Sequence, residues 1–389
     1  MSYNFDTPFD KVAVKSGKWR FGYDVIGMGL AEMDFPIPQQ IRDAISARAQ
    51  LGEFGYVSMW EEDYQAVIDW LHDRTGVVIP REHIIATNGV LYTMRTALYA
   101  LTKPGDKVII QTPLHTPSIA TASMQDRVAL ENRLIYRDGD YFIDFDQLED
   151  CFRQGARALL MCAPNNPTGR VWTREELEQI GQLCERYDAI VISDEIHRDI
   201  IWCDRPHISP TEIPSLAMRS VATTSTSKTF NMGGFHIGTA IIPNEDLRNR
   251  VRKQFYYYGH ACNRPSALCI AAQTAAYTMC KEWFEDLMTY MRGNFELALD
   301  YLADTPIRAK MPDGTFLLWG DVSEMKIPTN ELEDVMQKEW RVVFDRGILY
   351  DRTDFQNRTD IEHHVRMNLA TQRKNVDIAF DRIRKYFKK

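Results

Sequence analysis

The sequence predicts an α/β fold: a large domain on a mostly parallel seven-stranded sheet, then a smaller C-terminal α+β domain. Two observations carry this. From about Tyr56 to Met291, short apolar runs alternate with amphipathic helical patterns, the rhythm of a parallel sheet covered on both faces. After about Cys280 that rhythm stops, and one long helical pattern gives way to short strands and helices. The expected divisions are residues 1–50, a segment packing with the small domain, 51–290, the large domain, and 291–389, the small domain.

In chain order, a polar, irregular stretch through Glu32-Met33-Asp34-Phe35 leads to a first helix at Pro38–Gln50. Candidate strands are Ile84–Ala86, Lys107–Gln111, Ala129–Tyr136, Arg157–Cys162, Ala189–Ser193, Ser220–Thr224 and His236–Ile241. Thr87-Asn88-Gly89 closes the first and opens a helix running through Leu101. The helix at Thr173–Tyr187 starts with a capping box, Thr173 and Glu176, and sets Leu177, Ile180, Leu183 and Cys184 on one face. Glu282–Leu302 is one long helix carrying Phe284, Leu287, Met291, Phe295 and Leu299. Strands at Phe316–Trp319 and Val365–Leu369, with helices at Asn330–Trp340 and Lys374–Tyr386, complete the small domain.

Composition narrows the function classes. The 389 residues are 44% hydrophobic and 26% charged, ordinary for a globular protein. A net charge of −8 with dispersed Lys and Arg argues against nucleic-acid binding. No apolar run approaches the ~18 residues of a membrane span, and the first residues lack the form of a signal peptide. Seven cysteines without a C-x-x-C pair read as small thiols of a reducing, cytoplasmic compartment. Nine histidines show no metal-ligand spacing; His363 and His364, adjacent on a strand, would point to opposite faces. No metal is expected.

The chemistry is concentrated in three motifs, each just beyond an apolar β-like run. Lys228 stands in Ser225-Thr226-Ser227-Lys228-Thr229-Phe230-Asn231, 34 positions after Asp194 and 62 after Asn166 in Pro164-Asn165-Asn166-Pro167-Thr168-Gly169. An amine, a carboxylate and an amide in this setting match the needs of pyridoxal 5'-phosphate. The amine bonds the aldehyde, the carboxylate keeps the pyridine nitrogen protonated, and the amide donates to the phenolic oxygen. The phosphate needs backbone amides at a helix start. Gly89, with the amides of Val90 and Leu91, is the candidate cradle, and Ser225 and Ser227 could add hydroxyls.

On these motifs the chain resembles the fold type I pyridoxal-phosphate enzymes, the aspartate-aminotransferase superfamily. Within it the chain is similar to the MalY/PatB group of cystathionine β-lyases and related C–S lyases. The resemblance runs from about Gly29 to the C-terminus. Beyond the Lys, Asp and Asn motifs it rests on Ala31-Glu32-Met33-Asp34-Phe35, Gly52-Glu53-Phe54-Gly55-Tyr56 with Trp60, Val171-Trp172-Thr173, Asp194-Glu195-Ile196-His197 and Val365-Arg366-Met367-Asn368. It implies that Arg366 binds the substrate α-carboxylate, that Asp34 lies at the substrate, and that His197 stands near the phenolic oxygen. It further implies that Tyr56 reaches the neighbouring subunit's site, so that the enzyme is a homodimer with shared active sites.

Two positions depart from the family pattern. His115 stands where an aromatic usually stacks on the cofactor ring, and His236 stands where an Arg often holds the phosphate. The expected activity is cleavage of a carbon–sulfur bond at Cβ of cystathionine or a cysteine S-conjugate, giving thiol, pyruvate and ammonia. An aminotransferase, or a pyridoxal-phosphate enzyme of specialised metabolism, would use the same residues and stays open at this point.

Overall fold

The computed structural model describes residues 3–257, 264–351 and 359–388. Its centre is a seven-stranded sheet: β1 (Ile84–Thr87), β2 (Lys107–Thr112), β3 (Val128–Arg133), β4 (Ala156–Cys162), β5 (Ile190–Asp194), β6 (Ser220–Thr224) and β7 (Gly238–Ile241). The spatial order is β1-β7-β6-β5-β4-β2-β3. Only β7 runs antiparallel to its neighbours. Successive strand residues alternate between two cores, as the pleat requires. Ile109, Leu159 and Val191 face Leu148, Leu177 and Ile180, whereas Val108, Ile110, Leu160 and Ile192 face Val90, Met94, Ala97 and Val251.

The helix α1 (Val90–Leu101) follows β1, and α2 (Arg174–Tyr187) precedes β5. The expected capping box of α2 is present: Thr173 Oγ1 accepts from Glu176 N at 3.2 Å, and Glu176 Oε2 accepts from Thr173 N at 2.7 Å. The long helix α3 (Lys281–Leu302) is unbroken across residues 290 and 291. A four-stranded sheet follows, from β8 (Arg308–Ala309), β9 (Leu317–Asp321), β10 (Asp345–Arg346) and β11 (His364–Asn368), in the order β8-β9-β11-β10. Among the described residues no helix is long and apolar enough to cross a membrane.

Three expectations are corrected. The run expected at Ala129–Tyr136 leaves the sheet after Arg133, because its neighbour β2 ends at Thr112 before Pro113, which has no N–H to pair. Ile135–Arg137 instead forms a hairpin with Asp140–Phe142. The helix expected over Asn330–Trp340 is one α turn at Leu332–Asp334 running into a π-helix at Val335–Trp340, ended by Arg341 at φ 54°. The last strand of the large sheet starts at Gly238 rather than His236.

The N-terminal segment is tied to the chain's end. Ile26–Gly27 pairs in parallel with Val342–Val343, and Asn368 N donates to Met28 O at 2.7 Å. From Gly29 to Phe35 every backbone carbonyl accepts a side-chain hydrogen bond. Arg366 reaches Gly29, Asn368 reaches Leu30 and Glu32, Lys228 reaches Ala31, Asn231 reaches Met33 and Phe35, and Gln372 reaches Asp34.

Candidate active site

Parallel strands deliver their carboxyl ends to one edge of a sheet, where α/β proteins bind ligands. Here β4, β5 and β6 are neighbours, with Cys162 opposite Asp194 and Asp194 opposite Thr223. Asn166 after β4, Asp194 at the end of β5 and Lys228 after β6 therefore converge. They line a cavity of about 350 Å³ together with Gly89, Val90, Leu91, His115, His197, Ser227 and His236.

The floor is electrostatically tuned by burial. Asp194 is 5% exposed, and desolvation pushes its carboxyl up to about 6, against the N–H of Ile196 at 3.1 Å and the charge of Lys228. Burial, helped by the positive charge of Arg366, brings the Lys228 amine down to about 8. Its Nζ donates to Ala31 O at 2.5 Å. His115 is held down to about 3, by burial first and then by Arg366 and Lys228. The same causes hold His197 well below the usual imidazole range. Both ring nitrogens of His197 are buried without a partner, and its ring meets Phe316 edge-on at 5.5 Å.

Arg366 stands behind Asn166. Its Nη1 donates to Asn166 Oδ1 at 2.8 Å and its Nη2 to Gly29 O at 3.0 Å and to Asp345 Oδ2 at 2.7 Å. With its oxygen committed to Arg366, Asn166 has its NH₂ end available for a ligand. On the opposite wall, Gly89 takes φ 104°, a conformation that glycine adopts without strain, and a Cβ there would meet nothing within 4 Å. A side chain at Gly238 would come within 2.8 Å of Thr87 Oγ1 and 2.9 Å of Gly89 Cα, so this glycine lets the loop close down. The amides of Val90 and Leu91 then open α1 into the cavity, the geometry that favours an anion.

Four expected site residues lie outside the cavity lining. Asp34 is a correction: it is fully buried, and its oxygens accept from Lys18 Nζ and Trp19 Nε1, both at 2.9 Å. A buried carboxylate keeps an ion-pair partner, and this one is spent on Lys18 rather than on substrate. Ser225 is also placed differently. Its hydroxyl donates to Ile237 O at 2.7 Å and it caps the helical turn Thr226–Thr229, behind the cavity surface. Arg366 lies behind Asn166, as just described. Tyr56 is 88% exposed and makes no part of this chain's own cavity. No sequence motif marks Asp345 or Tyr350, whose Oη donates to Asp345 Oδ2 at 2.9 Å, nor Ala31 as acceptor for Lys228. Among the described residues no group of His, Cys, Asp or Glu is arranged to hold a metal ion.

The model of the aminotransferase class I and II family matches residues 23–383. The chain belongs to that family. Within it the chain is 33% identical to cystathionine β-lyase PatB of Bacillus subtilis over 357 residues, covering 89% of this chain and 92% of that protein. It is 29% identical to the protein MalY of Escherichia coli over 361 residues, 88% of this chain and 90% of that one. Cystalysin from Treponema denticola, whose crystal structure contains pyridoxal 5'-phosphate, superposes with a TM-score of 0.92 at 30% identity, covering 100% of this chain and 99% of that one. This family's cofactor fits the donor set here. A buried acid, a part-buried amine, an amide with a free NH₂ end and a buried imidazole with two unpartnered nitrogens face an amide-lined cradle left open at Gly89.

Proposed function

We propose that this protein is a pyridoxal-phosphate-dependent carbon–sulfur β-lyase. It would convert cystathionine or a cysteine S-conjugate and water to a thiol, pyruvate and ammonia. The carrying observation is the convergence of Lys228, Asp194 and Asn166 from three adjacent strands on one cavity, backed by Arg366. The PatB and cystalysin likenesses support the reaction class. When bound, pyridoxal phosphate supplies an electron sink for negative charge developing at the substrate Cα.

The chain's residues supply the rest. Asp194 would hold a proton at the pyridine nitrogen by pairing with it. Asn166, its orientation fixed by Arg366, would donate its NH₂ to the phenolic oxygen. The amides of Val90 and Leu91, with Ser227 and His236, would hold the phosphate. His115 and His197, both held well below the usual imidazole range, would pack at the ring without adding charge. Lys228, tuned to about 8, is poised to take the Cα proton near neutral pH. Arg366 anchors the α-carboxylate and so sets which Cα bond is aligned for cleavage.

The assembly belongs to the same proposal: a homodimer in which Tyr56 completes the partner's site. Its support is the cluster of exposed apolar side chains around Tyr56, with Leu51 72%, Phe54 59% and Trp60 71% exposed. The cytoplasmic setting is supported by the six described cysteines, all free thiols. Division into residues 1–50, 51–290 and 291–389 is supported by the two separate sheets and by the pairing of Ile26–Gly27 with Val342–Val343.

The test is to incubate the loaded enzyme with cystathionine, cysteine and S-methylcysteine while measuring pyruvate together with thiol, or with sulfide where cysteine is the substrate. Equal release of both without an added keto acid supports the lyase. Turnover that needs a keto acid and frees no thiol makes it an aminotransferase.

A further inference from the structure

We infer that Asp345 is a specificity-determining residue, a built-in carboxylate that holds Arg366 and must be displaced before a substrate carboxylate can bind in a fork. The inference rests on the reading of Arg366 as the α-carboxylate anchor. Asp345 and Arg366 are cross-strand neighbours on β10 and β11. The Arg366 side chain is 3% exposed and that of Asp345 is 26% exposed, with Nη2 and Oδ2 2.7 Å apart.

A guanidinium grips a carboxylate bidentately through Nη2 together with either Nη1 or Nε. Both approaches use Nη2, which carries only two hydrogens. Asp345 Oδ2 takes one and Gly29 O takes the other. Nε is buried without a partner, so half of one fork is open and waits on Nη2. Of the two acceptors on Nη2, the Gly29 carbonyl is fixed in the backbone, and Asp345 is a part-exposed side chain that can turn about its own bonds. Tyr350 Oη, 2.9 Å from the same Oδ2, loses its acceptor in that swing and becomes a donor for the incoming carboxylate.

The arrangement sets the price of the α-carboxylate. In a site whose arginine is unpaired, a ligand lacking a carboxylate leaves a buried charge uncompensated and is rejected strongly. Here Asp345 compensates Arg366 in the ligand-free site. The enzyme therefore discriminates less between a 2-amino acid and the corresponding carboxylate-free amine, and binds simple monocarboxylates weakly.

The test uses the holoenzyme and 3-(methylthio)propanoate, which has the carboxylate and thioether of a substrate but no amine to react with the cofactor. Its Kd is measured by calorimetry for wild type, Asp345→Asn, Asp345→Ser and Arg366→Met, with cofactor absorbance as the check that each variant is folded. Both Asp345 variants should tighten binding by about tenfold, within the ordinary range for coupling between two ligands of one group. They should also lower KM for S-methylcysteine more than they change kcat. A merely structural Asp345 would not tighten binding when removed. Unchanged or weaker binding in both variants, while Arg366→Met loses it, overturns the inference and leaves the anchor standing. Binding that survives Arg366→Met overturns the anchor and the inference with it.

Discussion

Asp194→Asn should make the cofactor-free protein more stable at mildly alkaline pH, although it removes the acid the chemistry needs. The folded carboxyl titrates at about 6 against an ordinary 3.8, because desolvation outweighs its hydrogen bond from Ile196 and the pull of Lys228. A raised acid binds its proton more tightly in the folded chain. Its contribution is therefore fully present below pH 3.8 and is lost as pH rises through 6. Two units at ~1.4 kcal/mol each make that loss about 3 kcal/mol by roughly pH 7.5. Asn carries no charge, keeps an oxygen for the N–H of Ile196, and escapes the loss. Urea unfolding of both cofactor-free proteins should show matched midpoints near pH 4 and a separation that opens as pH rises through 6. Added pyridoxal phosphate, whose protonated ring nitrogen gives Asp194 a partner, should reverse the order. Parallel midpoint curves across this range would refute the assignment of Asp194 as an acid strained by burial.

Arg366→Lys should lower kcat/KM for amino-acid substrates by about 2–5 kcal/mol, since a buried fork with three protein partners becomes a point charge. Its cofactor absorbance should persist, and kinetics equal to wild type would remove Arg366 from the site. Lys18→Met should destabilise the fold by ~3–5 kcal/mol because it strands the fully buried Asp34 carboxylate. Adding Asp34→Asn should recover most of that loss in urea unfolding. Mixing inactive Lys228→Ala with inactive Tyr56→Phe should restore activity in hybrid dimers, because one of their two sites has both residues intact. Hybrids that form and stay inactive would place Tyr56 outside the partner's site.

The fold and the cavity were legible in the sequence where a local signal and the tertiary outcome coincide. The Thr173–Glu176 capping box marks a helix start whatever surrounds it, and the apolar runs before Asn166, Asp194 and Lys228 are the strands that deliver them. What was hidden depends on partners distant in the chain. The run at Ala129–Tyr136 breaks because its neighbour reaches Pro113, which its own residues do not record. Asp34 looks available in sequence, and only the fold brings Lys18 and Trp19 onto it. Asp345 carries no motif, since its importance comes from lying opposite Arg366 across two strands.

The seven carbonyls from Gly29 to Phe35 are each read by a side chain from elsewhere in the chain, and reading of this kind ignores what the segment's own side chains are. For protein engineering this makes the segment intolerant of length, while its composition is free at the exposed Leu30 and constrained at the buried Met33, Asp34 and Phe35. A substitution at the exposed Leu30 leaves the acceptors in place, whereas one inserted residue between Gly29 and Phe35 shifts each downstream carbonyl away from its donor. Loop grafting here should therefore conserve residue count first, and libraries can vary the exposed Leu30 without dismantling the segment.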